Sequence, residues 1–257
     1  MESPEVPSSL GRKVFFLYPP SVIKDDVVAR FIEQEYEIYL IKDYIKGRSL
    51  LAKYPDSIVF IDIDEGQTEE EWEKWIREVF TNPETEKVSI GIVSYNNDEK
   101  LQRKYLMEVG IQCGFIRLKL GLEESVHILL ETLKANEAKG RRKYVRANCT
   151  WDKMTVANLR LDNKTYIGTI NDISVVGFSC TFTDDPRIQK NSLLNDIQLK
   201  LRGGLLKIQG IVFGSRMVDS KITYVILFTQ KLDDQSRVKI RHYIQIALQM
   251  EIDAELN

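Results

Sequence analysis

Two short segments in the second half of the chain carry side chains suited to binding an anion. The first contributes three arginines, Arg141, Arg142 and Arg146. The second contributes an acid, a hydroxyl and a glycine, Asp172, Ser174 and Gly177. Arginine presents a planar fork of N–H donors that bonds an oxyanion at two points. Taken separately, the arginine cluster is typical of a solvated linker, and the second segment is typical of a turn.

Taken together, the two segments match RRxxxR followed by (D/N)xSxxG, and residues 139–257 resemble the PilZ domain, a family of cyclic-di-GMP receptors. The resemblance implies that the arginines belong to a flexible arm before a β-barrel. It also implies that Asp172, Ser174 and Gly177 lie on the barrel surface. A protein of this family binds its ligand without catalysis, so the resemblance implies no catalytic residue, no metal and no cofactor.

The ligand implied by the resemblance explains the residue types. Cyclic-di-GMP carries phosphates and the guanine acceptors N7 and O6, and an arginine fork bonds either at two points. Asp172 accepts hydrogen bonds from guanine N–H groups, which selects guanine over adenine. Ser174 donates to a phosphate or anchors the loop. Gly177 leaves room for the ligand close to the backbone.

Two finer expectations follow from the same family. An arginine at the position of Arg141 accompanies an intercalated ligand dimer, which predicts two ligand molecules per chain. Similar proteins often place a Trp or an Arg near the ligand on a later strand. Phe213 or Arg216 is the candidate for that position here, although Phe213 fits the core better.

The first half of the chain alternates short β-branched or aromatic runs with longer amphipathic segments over five cycles. The predicted strands are 13–18, 37–42, 57–63, 88–94 and 114–119. The predicted helices are 21–35, 44–53, 68–80, 98–109 and 122–138. Thr68 with Glu71 is a capping box at the start of one helix. Five βα units predict a parallel sheet with helices on both faces.

This half resembles a response-regulator receiver domain. Asp62 stands at the end of the third strand, where that family carries its phospho-acceptor. Ser94 and Lys119 end the fourth and fifth strands, like the family's hydroxyl and lysine.

The resemblance is incomplete after the first strand. Tyr18-Pro19-Pro20 stands where receivers carry the acidic pair that holds Mg²⁺, and only Asp64 and Glu65 are conceivable substitutes. We therefore expect a degenerate receiver-like domain used for docking or dimerisation.

After about Gly140 the pattern changes to short strand-like runs separated by turn residues. The predicted strands include 166–173, 177–182, 197–201, 205–213 and 222–229. Turns are predicted at 162–163 and 202–204. This pattern predicts an antiparallel β-barrel. A closing helix from Ser236 to about Leu256 is predicted with one face formed by Val238, Tyr243, Ile246, Ala247 and Met250.

Charge also divides the chain. Residues 139–257 hold 19 Lys and Arg against 12 Asp and Glu, whereas residues 1–138 hold 17 against 26. The predicted organisation is a disordered leader (1–12), a receiver-like α/β domain (13–138) and a PilZ barrel domain (139–257). Gly140 is available as a helix C-cap at the boundary.

Composition excludes several classes of protein. A net charge of -2 with 43% hydrophobic residues excludes a disordered or collagen-like chain. Three separated cysteines suggest neither a zinc site nor a disulfide framework. The chain has neither a signal peptide nor an apolar run long enough for a transmembrane helix, which predicts a cytoplasmic protein without membrane insertion.

We therefore predict a two-domain signalling receptor and not an enzyme. Cyclic-di-GMP bridges the arginine arm and the barrel face, reorients the domains and alters binding of an unidentified protein effector, with motility or adhesion as the output. Two alternatives stay open. One is phospho-signalling through Asp62. The other is a nucleic-acid-binding barrel that uses the same arm and shows a steep salt dependence, although no specific nucleic acid is expected.

Overall fold

The computed structural model describes residues 11–229 and 232–256. The chain divides into two compact units, residues 1–143 with 251–257 and residues 144–250. The predicted leader, 1–12, lies outside the described residues except for its last two positions. Arg12 is already held in the first unit, where its guanidinium donates to Asn136 O at 2.9 Å and to Ser89 Oγ at 2.8 Å.

The first unit contains a parallel five-stranded sheet with the order β2-β1-β3-β4-β5. Its strands are β1 (Val14–Leu17), β2 (Ile38–Ile41), β3 (Ile58–Asp62), β4 (Ser89–Ser94) and β5 (Phe115–Arg117). Nearly every strand residue is buried, as expected for a parallel sheet covered on both faces. The predicted α/β fold is confirmed, and its strand order is a common one among doubly wound α/β sheets.

Helices connect these strands. They are α1 (Val28–Glu33), α2 (Tyr44–Lys53), α3 (Glu69–Thr81), α4 (Glu99–Arg103) and α5 (Leu122–Ala135). The π-helical turns Ile23–Val27 and Lys104–Val109 precede α1 and extend α4, and a 3₁₀ turn, Leu118–Leu120, precedes α5. The predicted capping box is confirmed, because Thr68 Oγ1 accepts from Glu71 N while the Glu71 carboxylate accepts from Thr68 N.

Helix α5 ends differently from the prediction. It stops at Ala135, and Glu137 adopts a left-handed conformation with φ 51°. Ala138 N donates to Leu133 O, and Glu137 N donates to Lys134 O, which is a Schellman motif. Gly140 is therefore not the cap, since the preceding residues already satisfy the last carbonyls.

The second unit is a closed antiparallel barrel. Its strands are β6 (Ala147–Asn148), β7 (Val156–Leu161), β8 (Lys164–Ser174), β9 (Gly177–Phe182), β10 (Leu193–Leu201), β11 (Gly204–Val218) and β12 (Lys221–Phe228). The pairing closes in the order β7-β10-β11-β12-β9-β8, and the short strand β6 pairs with β8. The predicted barrel is confirmed, and β6 and β7 add to its predicted strands.

Two-residue turns join four pairs of strands, and three of these turns contain residues with positive φ. Asp162 and Asn163 both have positive φ, 49° and 60°, and Asp219 and Ser220 have φ of 47° and 62°. These values match the turn type that suits the twist of a β-hairpin. Gly203 has a φ of 101° in the β10–β11 turn. The sequence predicted the turns at 162–163 and 202–204 correctly.

Helix α6 (Asp234–Glu255) closes the chain. The predicted apolar face is correct at Tyr243 and Ala247, which are buried, but wrong at Val238, which is 58% exposed. Val238 lies about 140° around the helix from Tyr243, too far to share its face. The buried positions are Ile240, Tyr243, Ile244, Ala247, Leu248 and Ile252. Among the described residues no helix is long and apolar enough to span a bilayer.

Candidate functional site

The arginine arm enters the barrel through strand β6. Arg141 and Arg142 are exposed, and neither side chain forms a hydrogen bond or ion pair with any described residue. Five residues after Arg142 the chain enters β6, which pairs with β8 so that Asn148 faces Asp172. This pairing brings the end of the arm next to the second predicted segment.

Arg146 and Asp172 are brought together by this pairing. Arg146 Nη1 lies 3.8 Å from Asp172 Oδ1. That separation is too long for a hydrogen bond, and the Arg146 side chain is 53% exposed. An exposed ion pair of this kind contributes little to stability, so Arg146 exchanges partners at low cost.

Asp172 has a second partner on the neighbouring strand. Ser179 lies opposite Asp172 in the β8–β9 register, and its hydroxyl donates to Asp172 Oδ2 at 2.5 Å. The bond holds one carboxylate oxygen on the barrel and leaves the other facing Arg146. Ser179 was not among the predicted site residues, although it is polar between the apolar residues Phe178 and Cys180.

A row of polar side chains continues from Asp172 across the outer face of the barrel. Asn171 Nδ2 donates to Thr181 Oγ1 at 3.0 Å, and Thr181 Oγ1 lies 2.9 Å from Thr223 Oγ1. Thr223 faces Arg216 in the β11–β12 register. Directly paired residues share a face, so Arg216 belongs to the same face as Asp172. The barrel therefore carries a polar face with an exposed arginine at each side.

Phe213 corrects the expectation that it fits the core. Its side chain is 60% exposed. Strand β11 alternates, and Leu206, Ile208 and Val212 point inward. Phe213 follows Val212 at a register shift of this strand and is therefore directed outward.

Ser174 is buried rather than exposed on the barrel surface. It is 4% exposed, and its hydroxyl donates to Gly177 O at 3.2 Å and accepts from Val176 N at 3.4 Å. Of the two roles considered for Ser174, the described contacts are those of a loop anchor.

Gly177 is also buried. A glycine is needed at this position because strand β12 lies very close to it. Its φ is not left-handed, but a Cβ would lie 2.4 Å from Ile226 O on β12. The space that Gly177 leaves is thus filled by β12 backbone. Its predicted role as a ligand contact stays a prediction.

Gly177→Ala is expected to lower the free energy of unfolding of the barrel by roughly 2 kcal/mol, because the new methyl group overlaps a backbone oxygen that cannot move freely. Urea unfolding measures the change. Gly214→Ala is the matched control, since a Cβ at Gly214 meets nothing within 4 Å. Equal stability of the two variants would contradict this packing role.

The comparisons with known proteins bear on the second unit. Residues 140–245 match the model of the family described as the PilZ domain. This segment is a PilZ domain.

Several solved structures are similar in part to the chain. The PilZ domain with c-di-GMP of YcgR from Escherichia coli matches at 15% identity and a TM-score of 0.36, covering 45% of this chain and 93% of that one. The MrkH–c-di-GMP complex from K. pneumonia matches at 24% identity and a TM-score of 0.36, covering 46% of this chain and 56% of that one. This chain spans about half, 49%, of the whole YcgR chain.

A signal receiver domain of an HD domain-containing protein from Pseudomonas fluorescens Pf-5 is similar to the chain as well. It matches at 13% identity and a TM-score of 0.40, covering 50% of this chain and 99% of that one. The comparison with curated proteins finds no match.

The receiver-like unit has its own pocket, of about 560 Å³, at the carboxyl ends of its strands. Asp62 lines it and is 1% exposed. Ser94 ends β4 as predicted. Lys119 does not end β5, since it lies exposed in the following 3₁₀ turn. The lysines that line this pocket are Lys24 and Lys42, which the sequence did not single out.

The surroundings of the Asp62 carboxyl shift its pKa. Its pKa is raised to about 7, mainly because the carboxyl is buried and also because of the charges of Asp64 and Glu65. The hydrogen bond that Asp64 N donates to Asp62 Oδ1 and the charge of Lys24 act in the opposite direction. The carboxyl therefore exchanges its proton near neutral pH.

The carboxylate of Asp64, one of the two candidates for a metal-binding acid, is already engaged by hydrogen bonds. It accepts from Ser94 Oγ at 2.7 Å and from Tyr95 N at 2.6 Å, which ties β3 to β4. No group of three or more His, Cys, Asp or Glu within the described ranges is arranged to hold a metal ion.

Proposed function

We propose that this protein is a cyclic-di-GMP receptor that binds its ligand between the arginine arm and the outer face of the PilZ barrel. The observation that carries the proposal is the pairing of Arg146 with Asp172, which joins the RRxxxR and DxSxxG segments at one place. The family of residues 140–245 supports the same reading.

The charges of this site fit an anionic ligand. Arg141, Arg142 and Arg146 supply forks for the phosphates and for the guanine N7 and O6 acceptors. A phosphate displaces Asp172 as the partner of Arg146 at little cost, because that ion pair is long and exposed. The carboxylate of Asp172, held by Ser179, then accepts from guanine N–H groups.

Arg216 is the later-strand candidate that we favour as a further contact. It is exposed, and it shares the outer face with Asp172 through the Thr181 and Thr223 positions. Its guanidinium suits a phosphate or a guanine ring face. Phe213 is exposed as well and offers a ring for stacking.

Binding alters the arm rather than a reaction rate. Without ligand, the arginines of the arm are exposed. A ligand that bonds both the arm and the barrel restricts the conformations of the arm. We propose that this change alters how the chain binds a protein effector, with motility or adhesion as the output. Ligand binding by the barrel and the response of the effector can be measured in separate experiments.

Calorimetric titration of the full chain with cyclic-di-GMP tests the proposal, with cyclic-di-AMP as the control ligand. We expect saturable binding of the guanine ligand and at least about tenfold weaker binding of the adenine ligand, because adenine lacks the donors that Asp172 accepts. Binding of neither ligand, or of both equally, would refute a guanine-selective receptor.

The number of ligand molecules bound per chain gives a second test, which concerns the role of Arg141. With Arg141 present we expect two ligand molecules per chain, and Arg141→Ala should reduce this number to one. The physical reason is that the second molecule of an intercalated dimer needs its own cationic partner. The titration that measures affinity also yields this ratio, and an unchanged ratio in the variant would contradict the role of Arg141.

A further inference from the structure

A β-bulge in strand β8 sets the direction of the Asp172 side chain. Ile170 faces Cys180 on strand β9, and both residues are buried. The next facing pair is Asp172 with Ser179, so Asn171 is an extra residue in β8. Side chains alternate between the two faces of a strand, and without the bulge Asp172 would point into the barrel like Ile170. The bulge therefore turns Asp172 to the outer face, opposite Ser179.

Two side chains contact the Asp172 carboxylate there, and they differ in exposure. Ser179 is 3% exposed and donates to Asp172 Oδ2 at 2.5 Å. The Arg146 side chain is 53% exposed and lies 3.8 Å from Asp172 Oδ1. An exposed guanidinium that leaves its partner is solvated by water, whereas a buried hydroxyl that loses its acceptor stays unsatisfied. Ser179 therefore keeps its bond to the carboxylate when Arg146 moves to a ligand phosphate.

The neighbouring polar side chains of the outer face are bonded to one another. Asn171 Nδ2 donates to Thr181 Oγ1, which lies 2.9 Å from Thr223 Oγ1. Within residues 11–229 and 232–256, no side chain other than Ser179 and Arg146 forms a hydrogen bond or ion pair with the Asp172 carboxylate. Once Arg146 has left, the orientation of this carboxylate depends on Ser179.

We propose that Ser179 is a positioning residue that sets the selectivity of the site for guanine, an inference that rests on the proposed binding of cyclic-di-GMP. With Arg146 on a phosphate, Asp172 Oδ1 is open and Oδ2 keeps a free lone pair, so the carboxylate accepts from two N–H groups. Guanine presents two adjacent N–H groups on its Watson–Crick edge. Without Ser179 the aspartate samples several rotamers and the ligand must order it, which weakens binding.

The effect of Ser179 is confined to ligands that donate to Asp172. Cyclic-di-AMP lacks the matching donors and gains nothing from the orientation of the carboxylate. A general loss of barrel structure would instead weaken binding of both ligands alike. The ratio of the two affinities therefore distinguishes a positioning role from a structural one.

Calorimetric titration of the full chain and of Ser179→Ala with both ligands tests the proposal. We expect the variant to bind cyclic-di-GMP about five- to tenfold more weakly and cyclic-di-AMP with unchanged affinity. Ser179→Thr keeps the hydroxyl and should restore the parent ratio. Because Ser179 acts through the carboxylate, Ser179→Ala should cause no further loss of cyclic-di-GMP affinity when it is combined with Asp172→Ala.

Thr223→Val is the matched control. Thr223 is also 3% exposed and lies on the same outer face, but its hydroxyl is bonded to Thr181 and not to Asp172. This variant should keep the parent ratio of affinities.

The outcomes separate this inference from the function on which it rests. A parent chain that binds no cyclic-di-GMP overturns both. A guanine-selective parent whose selectivity is unchanged in Ser179→Ala, or is lowered equally in Thr223→Val, overturns only the role of Ser179. Additive losses in the double variant with Asp172→Ala would do the same.

Discussion

Arg142→Ala is expected to weaken cyclic-di-GMP binding by about 100-fold, because it removes a charge-assisted fork that makes two hydrogen bonds. Arg142 is exposed and has no bond to the described residues, so its loss leaves the fold unchanged. Calorimetric titration measures the affinity, and urea unfolding of the same variant checks that stability is retained.

Two matched variants separate the fork from the charge. Arg142→Lys keeps the charge but lacks the planar fork, and we expect it to bind nearly as weakly as Arg142→Ala. Arg160 is exposed on β7, and Arg160→Ala removes one cation from the same domain elsewhere. If Arg160→Ala lowers affinity as much as Arg142→Ala, general basic charge and not the motif binds the ligand. A steep salt slope would then favour the nucleic-acid alternative.

Asp62→Asn is expected to raise the free energy of unfolding of the receiver-like unit at pH 8 by roughly 2 to 4 kcal/mol. The pKa of the Asp62 carboxyl rises from 3.8 to about 7 on folding, so the native state holds this proton more tightly than the unfolded chain does. The resulting stabilisation is fully present below about pH 4 and is lost as the pH rises through 7. The amide of Asn carries no charge at any pH.

Urea unfolding over a series of pH values measures this effect. Trp72 and Trp75 report the first unit, and a Trp151→Phe background removes the signal of the second. The Asp62→Asn profile should lack the decline between pH 4 and 7. Asp26→Asn, at an exposed position, serves as the control. Profiles that decline equally with and without Asp62 would show that this carboxyl does not carry the pH dependence.

The same pocket bears on phospho-signalling. A phospho-acceptor must be ionised and close to a bound cation. Asp62 is partly protonated near neutral pH, and Asp64 is engaged by Ser94 and Tyr95. We therefore expect acetyl phosphate with Mg²⁺ to leave the mass of the protein unchanged. A mass increase abolished by Asp62→Asn would revive this alternative.

Local features of the fold were readable from sequence. Thr68 with Glu71 predicted a helix start, and the pair Asp162-Asn163 predicted a hairpin turn, because both depend only on residues a few positions apart. The helix face that included Val238 was predicted wrongly, since apolar type alone does not tell which of two adjacent stripes meets the barrel.

The sequence by itself determined the two fold types and the segments that carry the PilZ motif, because strand and helix periodicity and motif spacing are properties of short stretches of chain. Only the tertiary structure decided which distant residues meet. Arg146 reaches Asp172 through the β6–β8 pairing, Ser179 holds that carboxylate from β9, and Gly177 makes room for β12. These contacts depend on strand order and register, which arise from the packing of the whole barrel.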